Sequence, residues 1–153
     1  MLTPAQQERY ARHLLLDPLG GEGQERLLDG AVSVRLPAEA AQAARWAVRS
    51  LAAAGVGTLI LDGPWAEEAA AEARALGPWL TLLQGDVAPE GKALVHITLA
   101  TGLAAPDPKR ITLDPERAAD PVSAAAVGSQ AALEALKLLA AIGKPFKLPL
   151  TGT

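Results

Sequence analysis

Two hydrophobic periods alternate across residues 31–84, and this alternation constrains the fold more than any other feature of the chain. "VSVRL" (32–36) alternates at the period of a strand and Pro37 ends it. Over 38–54 the period lengthens to that of a helix: Ala44, Ala47, Val48 and Leu51 share one face, while Glu39, Gln42, Arg45 and Arg49 share the other. Gly55 stops this helix, and "TLILDG" (58–63) reads as a second, buried strand. Pro64 opens a second helix through Leu76, closed by Gly77 and Pro78. Strand, helix, strand, helix in this order builds βαβ units, whose strands lie parallel and whose crossovers are right-handed.

On either side of this unit the pattern is simpler. Thr3 and Pro4 start a helix predicted over 3–16, "DPLGGEGQ" breaks it, and "GQERLLDG" adds one or two helical turns. Three further strands are predicted in "WLTLLQ", "ALVHITLA" and "RITLD", and a last helix over 121–142 carries Glu134 and Lys137 before Gly143 and Pro145. The expected class is α/β: a small Rossmann-like, mainly parallel sheet flanked by helices, with an N-terminal helical segment (1–30) joined to the Rossmann-like domain (31–153) in one compact unit. Five short strands make a narrow sheet, one face of which calls for a partner.

Composition narrows the function. The 153 residues carry a formal charge of −3 without a basic cluster, which excludes a nucleic-acid partner. With no cysteine there is no disulfide, thiolate zinc site or cysteine nucleophile. No apolar run reaches membrane-spanning length and the polar stretch from Gln6 to Arg12 gives no signal peptide, so a cytoplasmic protein is expected, with no membrane partner. His13 and His96 lie far apart and no metal site is expected.

Three stretches carry a more specific signal: "RYARHLLL" within residues 2–30, "LAAAGVGTL" leading into the second strand, and "GSQAALEALKLLAAIGKP" (128–145). In this order they resemble the ThiF/MoeB family of sulfur-carrier-activating adenylyltransferases. The resemblance implies an ATP site built on a glycine-rich turn after the first strand, where backbone N–H groups and a helix dipole hold phosphates. Here the turn reads "RLPAEAAQ", and no glycine occurs between Gly30 and Gly55. Pro37 offers no N–H, and Glu39 repels phosphate. Trp65 stands where the family has a phosphate-contacting lysine, Leu99 stands near its magnesium-associated aspartate, and its Asn/Arg loop and zinc-binding cysteine pairs are missing.

Two positions remain from the family's site. Arg12 matches the arginine that crosses to the partner's ATP site, and Asp62 matches the ribose carboxylate; read from the residues alone, Arg12 is a solvated helix arginine and Asp62 the end of a strand at an Asp-Gly turn. Trp46 lies on the charged face of its helix with Arg45 and Arg49, which marks these residues, with Arg12, as candidates for an interface. Trp65 and Trp79 bracket the second helix and are expected to cover one end of the sheet. The resulting expectation is a degenerate ThiF/MoeB-like domain without catalytic residues or cofactor, acting as a binding or regulatory module. It would act as a homodimer, or with a ubiquitin-like sulfur carrier or an active relative. The alternatives are a nucleotide-binding or adenylating domain (ATP, Mg²⁺) with an altered phosphate site, and a different chemistry built from His96, Asp86 and Asp114.

Overall fold

A computed structural model describes residues 1–99 and 109–143. The N-terminal segment forms α1 (Pro4–Arg9), α2 (Ala11–Leu14) and α3 (Gly20–Asp29). The remainder runs β1 (Ala31–Arg35), a 3₁₀ turn (Ala38–Ala40), α4 (Ala41–Ala54), β2 (Thr58–Asp62), α5 (Ala66–Leu76), β3 (Thr81–Gln84), β4 (Leu94–Leu99), β5 (Arg110–Leu113), α6 (Pro115–Ala119) and α7 (Ala124–Ala140). The five strands form one sheet in the order β3-β2-β1-β4-β5, and every pairing is parallel. This is the expected α/β class.

Register separates the two faces of the sheet. Val32, Val34, Leu59, Leu61, Val95, Ile97, Ile111 and Leu113 point to one side and join the core with the inner faces of α4, α5 and α7. Ser33, Ile60, His96 and Thr98 alternate with them and point to the other side. Among the described residues, the helices packed on the strands are α4, α5 and α7, all on the first face, with α4 central between the other two.

α4 ends as its sequence dictates. Gly55 adopts φ +90°, and the N–H groups of Gly55 and Val56 bond the carbonyls of Ala52 and Leu51 at 3.2 and 3.1 Å. A side chain here would also strike Tyr10 and Gln24, because the N-terminal segment docks on this end of α4. Gln24 is fully buried, donates to the Ala54 carbonyl (3.1 Å) and meets His13 Nδ1 (2.9 Å), and the His13 ring stacks on Tyr10. Arg26 donates to the Ala140 carbonyl at 3.1 Å, tying the segment to α7 as well.

Several element boundaries differ from expectation. The helix predicted over 3–16 is two short helices broken at Tyr10, whose buried ring is held against α4 and whose backbone leaves helical geometry. α3 is a ten-residue helix beginning at Gly20, because the break falls earlier, at Leu15 to Leu19. α5 begins two residues after Pro64, since Trp65 is held by a contact of its own. The helix predicted over 121–142 is α7, which starts at Ala124 and ends at Ala141, where φ is +56° in place of the expected Gly143. A short helix that was not expected, α6, precedes it, capped by Asp114 through the N–H groups of Glu116 and Arg117. Pro145, expected to close that helix, and Ala100, at the end of "ALVHITLA", lie outside the described residues.

Candidate functional site

In a sheet of order 3-2-1-4-5 the strand direction of travel reverses between β1 and β4, and ligands of such folds bind beyond the carboxyl ends of the strands there. The corresponding edge is built from the turn after β1, the end of β2 and the start of α6. The chain leaves β1 through Leu36 and Pro37 into the 3₁₀ turn, where Ala40 is buried. The Trp65 indole, 4% exposed, donates from Nε1 to the Leu36 carbonyl at 2.7 Å. A Cβ on Gly63 would lie 2.3 Å from Trp65 Nε1 and 2.5 Å from the Leu36 carbonyl oxygen, so Gly63, Leu36 and the indole are in mutual contact. On the other side α6 packs on the 3₁₀ turn and on α4, with Ala118 buried between them. The turn therefore offers a carbonyl already bonded to an indole where a phosphate seat needs open N–H groups. These residues do not fit an ATP phosphate chain.

Asp62 ends β2 on the same edge, opposite Arg35 in register. Arg35 Nε donates to Asp62 Oδ2 at 2.9 Å and its Nη2 to Asp86 Oδ1 at 2.8 Å. The hydrogen bond with Asp86, then the charges of Asp86 and Asp62, raise the Arg35 pKa against partial desolvation, so the guanidinium remains charged. The carboxylate matched to ribose binding is thus engaged by the chain's own arginine.

Arg12 is exposed on α2, and its neighbour His13 meets Gln24, which bonds the Ala54 carbonyl at the far end of α4. With α4 about 20 Å long, Arg12 and Asp62 are held at opposite ends of one chain. Trp65 and Trp79 are likewise separated: Trp65 covers the carboxyl end of the strands, while Trp79 lies before β3 with its ring 6.0 Å from Tyr10. The expectation that both cover one end is corrected by the length of α5 between them. Trp46 is 41% exposed, with the Arg49 guanidinium 5.3 Å from its ring centre. Arg45 bonds Glu72 and, at 3.0 Å, Glu68, which ties α4 to α5, and Arg49 approaches Glu72 at 3.8 Å. The hydrogen bond to Glu72 comes first among the causes that raise the Arg45 pKa.

His96, Asp86 and Asp114 are not assembled into one site. His96 sits within β4, Asp86 is bonded to Arg35, and Asp114 caps α6. Among the described residues no group of three His, Asp or Glu is arranged to hold a metal ion, and no helix is long and apolar enough to cross a membrane. Sequence reasoning missed Arg35 and Asp86 as partners, since only the parallel register places Arg35 beside Asp62; the opposite charges at two strand ends were the available signal.

No protein-family model matches the chain, and no curated protein is similar to it in sequence. Among solved structures, the chain is similar to one titled "Crystal Structure of SeMet PaaA", with 13% identity and a TM-score of 0.61. That match covers 95% of this chain and 68% of the other. At this identity the likeness concerns the fold.

Proposed function

We propose that this chain is a catalytically silent, ThiF/MoeB-like module, a cytoplasmic binding or regulatory protein that acts without a nucleotide. Its partner is a second copy, a ubiquitin-like sulfur carrier or an active relative of the family it resembles. The observation that carries this reading is the Trp65 indole bonded to the Leu36 carbonyl. Adenylyl transfer relies on fixed donors that stabilise charge developing on phosphate. At this turn the indole N–H is aimed at the protein's own backbone, Pro37 has no N–H, and Asp62 is paired with Arg35.

A second reading, a nucleotide-binding or adenylating domain with an altered phosphate site, draws its support from Arg35, a half-exposed cation at the same strand ends. The two readings part on one experiment. The purified chain is incubated with Mg²⁺, ATP, labelled pyrophosphate and a panel of sulfur-carrier proteins, and ATP binding is followed by calorimetry. Neither exchange nor binding at millimolar ATP is expected. Exchange above a heat-killed control would establish the second reading.

A further inference from the structure

The return from β3 to β4 crosses two strands and runs from the carboxyl end of the sheet to its amino end, yet residues 85–93 make it without a helix. The steps from β1 through β3 carry α4 and α5 over the first face. A right-handed return in the opposite direction lies over the second. Arg35 agrees, because it alternates with core-facing Val34 and meets Asp86 from the second face. On that face Ser33, Ile60 and Thr58 are buried although no described helix packs there.

Backbone bonds hold the ends of this segment, Gly85 N–H to the Leu61 carbonyl (3.3 Å) and Ala31 N–H to the Ala93 carbonyl (2.8 Å), but little holds down what lies between them. The Asp86 side chain is 92% exposed while bonded to Arg35, Val87 is also exposed, and Lys92 Nζ reaches the Asp29 carbonyl only at 3.4 Å. Gly85 (φ +81°) opens the segment and Gly91 (φ +71°) lies two residues before its end, and a Cβ on either would meet nothing within 4 Å. Both glycines serve backbone conformation, not packing.

We propose that residues 85–93 are a strap that lifts about Gly85 and Gly91, latched by Asp86 on Arg35, and that its lifting uncovers Ser33 and Ile60 at the middle of the second face. An exposed ion pair makes a weak latch, so the strap is poised to open and the open state is accessible without global unfolding. Asp62 still holds Arg35 when Asp86 lets go, which leaves the β1–β2 edge intact. The proposal stands on the topology and is independent of the nucleotide-site reading.

The chain has no cysteine, so Ser33→Cys introduces a single thiol on the crossed face. Its reaction with Ellman's reagent is followed at low urea, beside Val34→Cys, whose thiol faces the helices. Ser33→Cys should react faster than the chain unfolds, with a shallow urea dependence, whereas Val34→Cys should react only through global unfolding. Asp86→Asn should speed the Ser33→Cys reaction roughly two- to fivefold, the change set by one surface ion pair, and Asp86→Glu should restore the slower rate. Hydrogen exchange in the unlabelled protein gives the same reading should a cysteine variant fail to fold: amides of 85–93 should exchange sooner in Asp86→Asn than in the parent. Reaction of Ser33→Cys at the global unfolding rate, or rates and exchange unmoved by Asp86→Asn, would overturn the strap.

Discussion

Trp65 combines a buried ring with one directional bond, and two substitutions separate these contributions. Trp65→Phe keeps most of the apolar contact but leaves the Leu36 carbonyl without its donor, for an expected loss of about 1–3 kcal/mol. Trp65→Ala also removes the ring and should cost about 3–5 kcal/mol. Urea unfolding of both variants checks the ordering, and equal losses would mean that the ring's contacts contribute nothing beyond the bond. Thr58 should respond with the opposite sign. Its hydroxyl is buried and has no hydrogen-bond partner among the described residues, so Thr58→Val exchanges an unsatisfied polar group for a methyl of similar shape. The expected result is a stability unchanged or raised by about 1 kcal/mol, and a loss above 1 kcal/mol would reveal a partner for that hydroxyl. The glycine-free turn was legible in the sequence because it is local. The indole that occupies it comes from 29 residues away, and no local pattern reports such a contact.

The helical layer is set by how closely α4 and α7 approach. A Cβ on Gly128 would lie 2.1 Å from the Ala43 carbonyl oxygen, so these helices touch backbone to side-chain-free backbone. Two effects oppose each other in Gly128→Ala: helix propensity favours alanine by about 1 kcal/mol, while a clash with rigid backbone costs about 1–3 kcal/mol. Backbone cannot give way as a flexible side chain does, so net destabilisation is expected in thermal unfolding; a higher midpoint would show that α7 can shift outward. The strands and the two crossover helices were legible because each carries its own period and its own stop, Gly55 being the plainest. The break at Tyr10 was not, because Pro4, Arg9 and His13 all suit one continuous helix and the interruption comes from docking the tyrosine against the end of α4. The same holds at the other end of the chain, where Asp114 and Pro115 are a readable start signal for α6, but a helix of five residues is too short to show a period. Asp120, at the α6–α7 junction, accepts from the Ser123 hydroxyl and N–H, which lowers its pKa below the usual aspartate value. A depressed folded pKa stabilises the junction above the unfolded value and is lost as pH falls through the folded one, so this contact weakens only in acid.

For the whole molecule the question is what its outer surface meets. Trp46 lies on the solvent side of α4, away from the Ala43, Ala47 and Leu51 stripe that faces the core. Its described partner is the Arg49 guanidinium over its ring, an exposed cation–π contact of about 0.5–1 kcal/mol. Trp46→Ala should therefore lower stability by no more than about 1 kcal/mol, well short of the 3–5 kcal/mol that a core tryptophan would cost. If the α4 surface is where the chain joins a second copy or another partner, the same substitution should weaken association by more than 1 kcal/mol, about fivefold or greater in dissociation constant, as interface aromatics do. Arg45 provides the contrast, for it is engaged by Glu68 and Glu72 of α5, and Arg45→Ala should act on the α4–α5 packing before it acts on any partner. Light scattering from low to high micromolar concentration measures self-association of the parent, Trp46→Ala and Arg45→Ala, and thermal unfolding measures the stability of each. An associating parent, a weakened but stable Trp46→Ala, and a less stable Arg45→Ala would locate the contact on α4. A parent of strictly monomeric mass, 15.7 kDa, would count against self-association, and a Trp46→Ala that associates like the parent would move the contact elsewhere.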